Sequence, residues 1–176
     1  MLEHASPDFS VSVNVTAEQI NDTAFIDQVI LLAQKYHAAG HLCMEIVEDS
    51  PLDSFDSLAD NLEKLRLNNI VASIDDFSMG HTSIKYLQNN FFRYVKLDGT
   101  LVRQVPNNPR SKEIVRSIIQ LGDELGFKVI AEYVENDVIR QELAKLGCEY
   151  YQGFLYKPAI PLDEFLQYNP QQSAVH

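Results

Sequence analysis

Hydrophobic and polar positions change period repeatedly along the chain. Ser10 to Val15 alternates with a period of two and predicts a strand carrying Asn14 near its end. After cap candidates at Asn21 to Thr23, residues Ile26, Val29, Ile30, Ala33 and Tyr36 recur at helical spacing until Gly40. Leu42 to Val47 is a short apolar run interrupted by Glu45 and followed by Glu48. Phe55, Leu58, Leu62 and Leu65 mark the next helix, with Asp53 or Ser54 as its cap. The apolar run Ile70, Val71, Ala72, Ile74 ends in two adjacent carboxylates, Asp75 and Asp76. A Ser/Thr-rich turn with a glycine and a shorter helix around Ile84 and Leu87 follow.

Phe91 to Leu97 predicts a fourth strand, which contains Lys96 and leads to Asp98. Asn108 and Pro109 form a cap and first-turn pair for a helix through Ile114, Ile118, Leu121 and Leu125, stopped by Gly126. Phe127 to Ala131 is a fifth strand, terminated by Glu132 and then Glu135. Asn136 opens a helix through Ile139, Leu143 and Leu146 that Gly147 closes. Cys148 to Tyr151 is a sixth strand ending at Gln152, and Pro161 to Leu166 predicts a last short helix. Residues 1–9 read as an irregular start, 10–168 as the folded domain, and 169–176 as a disordered tail.

Strands alternating with helices imply parallel βα units, either in a doubly wound sheet or in a TIM-like (β/α) barrel. No Gly-rich phosphate loop follows any strand, which counts against the doubly wound form. All six strands end in a residue capable of chemistry: Asn14, Glu45, Asp75, Lys96, Glu132 and Gln152. A barrel gathers such ends at its C-terminal mouth. Since a βα unit takes roughly 30 residues and a full barrel roughly 250, the expectation is an incomplete barrel of about six of eight units.

Composition narrows the function. The net charge of -11 leaves no basic surface for a nucleic-acid polymer or an anionic membrane. Cys43 and Cys148 lie in apolar segments without metal-ligand spacing and read as buried thiols of a reducing, cytoplasmic compartment. No apolar run is long enough to insert in a membrane. Asn14, Glu45, Asp75, Asp76 and Glu132 are all oxygen donors, a set that suits one or two Mg²⁺ or Mn²⁺ ions. Two such ions about 4 Å apart serve phosphodiester hydrolysis. Lys96 either places a positive charge beside the phosphate or pairs with Asp98. An unrelated barrel enzyme would need a histidine at the mouth, for which His81 is the candidate.

Ordered motifs carry a resemblance: Ser12 to Asn14, Glu45 to Glu48, Ile74 to Phe77, Val95 to Asp98, Ala131 to Glu135, and Gln152 to Pro158. In them the chain resembles the EAL domain family, phosphodiesterases that hydrolyse cyclic di-GMP to the linear dinucleotide on a TIM-like barrel whose first strand runs against the others. The resemblance implies that Asn14, Glu45 and Asp75 hold a first metal and that Asp75 bridges to a second near Asp76 and Glu132. It gives Lys96 the nucleophilic water, and Glu135 and Gln152 the metal and substrate surroundings. Glu48 and Asp98 would support the substrate loop, and the segment Phe154 to Tyr156 would lie near guanine or in the core. Three departures stand out. The Glu-Ala-Leu motif is absent, Glu3 having no strand around it; Ser78, Met79 and His81 alter the loop after Asp76; and Tyr133 stands where the family has Gly. These lead to the expectation of weak or no hydrolysis by this chain alone, or of a degenerate domain that senses cyclic di-GMP or contacts other proteins. Exposed barrel edges predict a homodimer or an edge-paired oligomer.

Overall fold

The computed structural model describes residues 9–47, 55–77, 87 and 89–167. Among the described residues, six strands form one sheet: β1 (Val11–Val15), β2 (Leu42–Val47), β3 (Val71–Phe77), β4 (Phe92–Leu97), β5 (Lys128–Ala131) and β6 (Tyr150–Tyr151). Their spatial order is their chain order, and every neighbouring pair is parallel. A doubly wound sheet reverses its strand order at a switch point. This sheet advances one strand at a time without reversal, as a TIM-like barrel does.

Among the described residues, seven helices connect and cover the strands: α1 (Ala17–Asn21), α2 (Thr23–Lys35), α3 (Phe55–Leu67), α4 (Gly99–Gln104), α5 (Pro109–Leu125), α6 (Asp137–Lys145) and α7 (Leu162–Gln167). Their starts follow from local chemistry. Asn108 Oδ1 accepts from the amides of Arg110 at 3.0 Å and Ser111 at 3.4 Å, ahead of Pro109 in the first turn. Gly126, at φ 85°, closes the same helix in the left-handed conformation.

Two helices depart from the expected pattern. The helix expected from the caps at Asn21 to Thr23 is present as α2, and an unexpected short helix precedes it: α1 carries a capping box in which the Gln19 amide donates to Thr16 Oγ1 at 3.2 Å and the Thr16 amide donates to Gln19 Oε1 at 2.9 Å. Asp22 then caps α2. Helix α4 has no apolar stripe long enough to show a period, and Asp98 starts it by accepting from the amides of Thr100 and Leu101 at 2.9 and 3.2 Å. The last strand is shorter than expected, Tyr150–Tyr151, and Cys148 ahead of it is buried with its thiol directed at the carbonyls of Val129 and Tyr150. The proposed helix around Ile84, the loop residues Ser78, Met79 and His81, the ends 1–8 and 168–176, and Glu48 all lie outside the described residues, apart from the buried Leu87.

The core lies between the sheet and its helices. Met44, Ile46, Ala72, Ile74, Val95, Leu97, Val129 and Ala131 supply the strand side, and Ile20, Ile26, Leu58, Leu62, Leu65, Val102, Val115, Ile118 and Leu143 the helix side. Burial of each large side chain contributes about 1.5–3 kcal/mol. The strand residues that alternate with these face the other side, and that side carries the chemistry. Cys43 and Cys148 are free and buried, and burial pushes both thiols up. Among the described residues no helix is long and apolar enough to cross a membrane.

Candidate active site

Register determines which polar side chains meet. Glu45 lies opposite Asn14 on one side and Ser73 on the other, and Asp75 stands two residues further along β3. Between the pairs Ile74–Val95 and Phe77–Leu97, strand β3 has two residues, Asp75 and Asp76, where β4 has only Lys96. This is a β-bulge, and Asp76 takes φ 55° within it. In a regular strand adjacent side chains point to opposite faces. The bulge lets both carboxylates reach one place: oxygens of Asp75, Asp76 and Glu132 all lie within 4.8 Å of one another.

Lys96 sits at the centre of this arrangement and is 3 % exposed. Its Nζ lies 2.8 Å from Asp75 Oδ1, 2.9 Å from Glu132 Oε1 and 3.1 Å from Glu45 Oε2. The alternative pairing with Asp98 does not form, because the Asp98 carboxylate is occupied as the cap of α4. Burial works against the ammonium, yet Asp75 and Glu132 outweigh it and hold the Lys96 pKa above the ordinary lysine range. Burial raises Glu132, with Lys96 pulling in the opposite direction and Asp75 and Asp76 adding to the rise.

With Glu45, Asp75 and Glu132 ionised, three negative charges surround the Lys96 ammonium, and an Asp76 oxygen lies within 4.8 Å of those of Asp75 and Glu132. Like charges about 4 Å apart repel by about 4 kcal/mol at an effective dielectric constant of 20. A divalent cation relieves that excess. Its fit is supported by the all-oxygen donors that Asp75, Asp76 and Glu132 bring to one place.

The remaining expected residues take different places. Asn14 is exposed on β1 beside Glu45 in register. Glu135 is exposed and pairs with Arg103 at 3.4 Å. Gln152 is exposed, and its backbone ties the loop to β5: its amide donates to the Ala131 carbonyl at 2.9 Å and its carbonyl accepts from the Val134 amide at 3.0 Å. Gln152, Glu132 and Glu135 line a cavity of about 510 Å³ together with Arg103, Tyr133, Gly153 and Phe154. A larger cavity of about 840 Å³ opens at the opposite ends of the strands, beside Phe92, Tyr94 and Lys128, away from the carboxylates.

Arg103 and the bulge carried no signal in the sequence pattern, whereas Gly153 showed only as part of the Gln152 to Pro158 motif. A β-carbon on Gly153 would lie 2.4 Å from both the nitrogen and the oxygen of Val134, so only glycine lets the two segments approach.

Comparison with known proteins agrees with this geometry. A family model of the EAL domain matches residues 1–159. The signaling protein YkoW of Bacillus subtilis is 32% identical over 166 residues, covering 94% of this chain and 21% of that protein. The cyclic di-GMP phosphodiesterase RocR of Pseudomonas aeruginosa is 31% identical over 160 residues, 90% of this chain and 41% of that protein. The chain thus spans less than half the length of these relatives. Among solved structures, the EAL domain of Mycobacterium smegmatis DcpA superposes with a TM-score of 0.84 at 26% identity, covering 94% of this chain and 73% of that one. The PaMucR phosphodiesterase in complex with c-di-GMP gives 0.82 at 28% identity, covering 93% and 67%.

Proposed function

The chain belongs to the EAL domain family, and we propose that it carries the catalytic face of a metal-dependent phosphodiesterase that hydrolyses cyclic di-GMP to the linear dinucleotide. The observation that carries this reading is the buried Lys96 held within 3.1 Å of carboxylates from β2, β3 and the end of β5. Support comes from relatives named cyclic di-GMP phosphodiesterases.

Asp75, Asp76 and Glu132 would hold Mg²⁺ or Mn²⁺, with Glu45 and Asn14 beside them. A divalent ion bound there supplies positive charge that activates water and offsets charge developing on the phosphoryl oxygens. Water adds to phosphorus while one ester P–O bond breaks, and the proton the water loses is balanced by one gained at the departing ribose oxygen, which opens the ring. Lys96 remains charged throughout the physiological range and acts as a hydrogen-bond donor that orients the water or a phosphate oxygen; its raised pKa makes it a poor base. Glu135 and Gln152 bound the neighbouring cavity and position the nucleotide.

A second reading, a domain that binds cyclic di-GMP or a protein without turnover, is favoured by one feature. Lys96 already engages three of the carboxylates, so metal entry must displace or share those ion pairs. Incubation with cyclic di-GMP and Mn²⁺ followed by anion-exchange chromatography separates the readings. Slow formation of linear product is expected. Saturable binding without product supports the sensor, and neither binding nor product overturns both.

The strands β1 and β6 are the edges of the described sheet. Their open hydrogen-bonding groups fit a homodimer or edge-paired oligomer. Light scattering across a wide concentration range tests this, a persistent monomer counting against it.

A further inference from the structure

We propose that Tyr133 is a specificity-determining residue, an aromatic platform on which a purine ring of the cyclic dinucleotide stacks beside the carboxylate centre. This rests on the phosphodiester reading above.

Tyr133 adopts φ 53°, a conformation that side chains other than glycine rarely take. Its place is built around it. A β-carbon on Gly99 would lie 2.3 Å from Tyr133 Cδ2 and 2.6 Å from Cγ, so the ring occupies the space that any other residue at position 99 would fill. The Arg103 guanidinium lies 4.6 Å from the ring centroid. Gly99 and Arg103 are four residues apart on α4 and therefore share one face of that helix. The ring packs against Gly99 of this helix and Tyr133 remains 51% exposed.

Tyr133 lines the cavity of about 510 Å³ that Glu132 also lines. Phe154, 74% exposed, lines the same cavity, and its position follows from Gly153 against the Val134 backbone. Two exposed aromatic rings and a guanidinium next to an anionic, cation-accepting centre match a ligand with a flat π-face joined to a phosphodiester. The cavity falls within the ordinary size range for ligand sites, about 300–1,000 Å³. Arg103 also pairs with Glu135, another residue of the cavity wall, at 3.4 Å.

The test is calorimetric titration of the purified protein, Tyr133→Leu and Tyr133→Phe with Mn²⁺ alone and then with cyclic di-GMP. Leucine keeps apolar bulk without a π-face. Loss of one stacked base predicts binding about tenfold weaker for Tyr133→Leu, while Tyr133→Phe stays within about twofold. Mn²⁺ affinity is expected to be the same in all three. Cyclic di-GMP binding by Tyr133→Leu equal to that of the unaltered protein overturns the platform and leaves the phosphodiester reading standing. Mn²⁺ binding without any cyclic di-GMP binding by the unaltered protein removes that reading and the platform with it. Loss of Mn²⁺ affinity in Tyr133→Leu would assign the residue to the centre itself and also overturn the proposal. Should Tyr133→Leu fail to fold on thermal melting, Phe154→Leu reports on the same subsite with the same expected loss.

Discussion

Two mixed-charge clusters in this molecule have opposite physics. Around Lys96, one ammonium is buried among carboxylates of Glu45, Asp75 and Glu132. On the helices, Glu142 of α6 is gripped by Lys112 of α5 and by Lys145 one turn away at 2.5 Å. The second cluster is two cations about one anion and lies at the surface, where water screens every term. The first takes charges out of water, with the anions in excess. Such burial is a poor way to gain stability, since desolvation offsets most of the attraction. The helix cluster thus clamps two helices together, whereas the strand-end cluster contributes little net stability for the charges it buries.

The largest break in this comparison is expected from Lys96→Met. Removing the ammonium leaves buried carboxylates uncompensated and costs about 3–5 kcal/mol in denaturant unfolding. Added Mn²⁺ should recover much of that loss, more than it stabilises the unaltered protein; no recovery would contradict a cation site. Asp75→Asn comes next. It relieves part of the charge excess, so the melting temperature without metal changes little, but the upward shift produced by Mn²⁺ should disappear. Gly153→Ala sharpens the structural half: forcing a β-carbon onto Val134 should lower stability by about 1–3 kcal/mol without touching any charge.

The smallest effect belongs to Glu142→Gln, a shift of the melting temperature that shrinks further at 1 M salt. The pH dependences also differ in sign. Lys112 and Lys145 depress the Glu142 pKa to about 2, so its contribution is present above the ordinary glutamate pKa and is lost as pH falls through about 2. Glu142→Gln should flatten that acid limb. The Lys96 pKa is raised instead, so its contribution is complete below the ordinary lysine pKa and is lost as pH rises through its folded value. Melting curves at acid pH should therefore separate the clusters.

The strands and their polar ends were legible because apolar runs ending at Asn14, Glu45, Asp75, Lys96, Glu132 and Gln152 leave a mark at short range. Leu42–Val47 appears with the bounds its pattern indicates. What brings the residues together was not legible. The bulge depends on how β3 pairs with β4, a non-local matter, and an Asp-Asp pair reads the same with or without it. The partner of Lys96 was ambiguous for the same reason: Asp98 is two residues away in sequence, while its actual partners come from β2, β3 and the end of β5. Tyr133 showed only as an unexpected residue in a motif; its reason lies in the missing side chain of Gly99. Helices α1 and α4, of five and six residues, are too short to display a period and are started by caps instead.

The contact between Gly153 and Val134 has a mechanical consequence. The Val134 amide donates to the Gln152 carbonyl, the Leu155 amide to the Val134 carbonyl, and the Gln152 amide to the Ala131 carbonyl. Those stitches make residues 131–135 and 152–155 one plate, with Glu132 on one rim and Phe154 on another. A push on the aromatic wall is then delivered to the carboxylate as a rigid tilt rather than absorbed in a loop. In hydrogen exchange, the amides of Val134, Gln152 and Leu155 should slow together when a ligand fills the cavity.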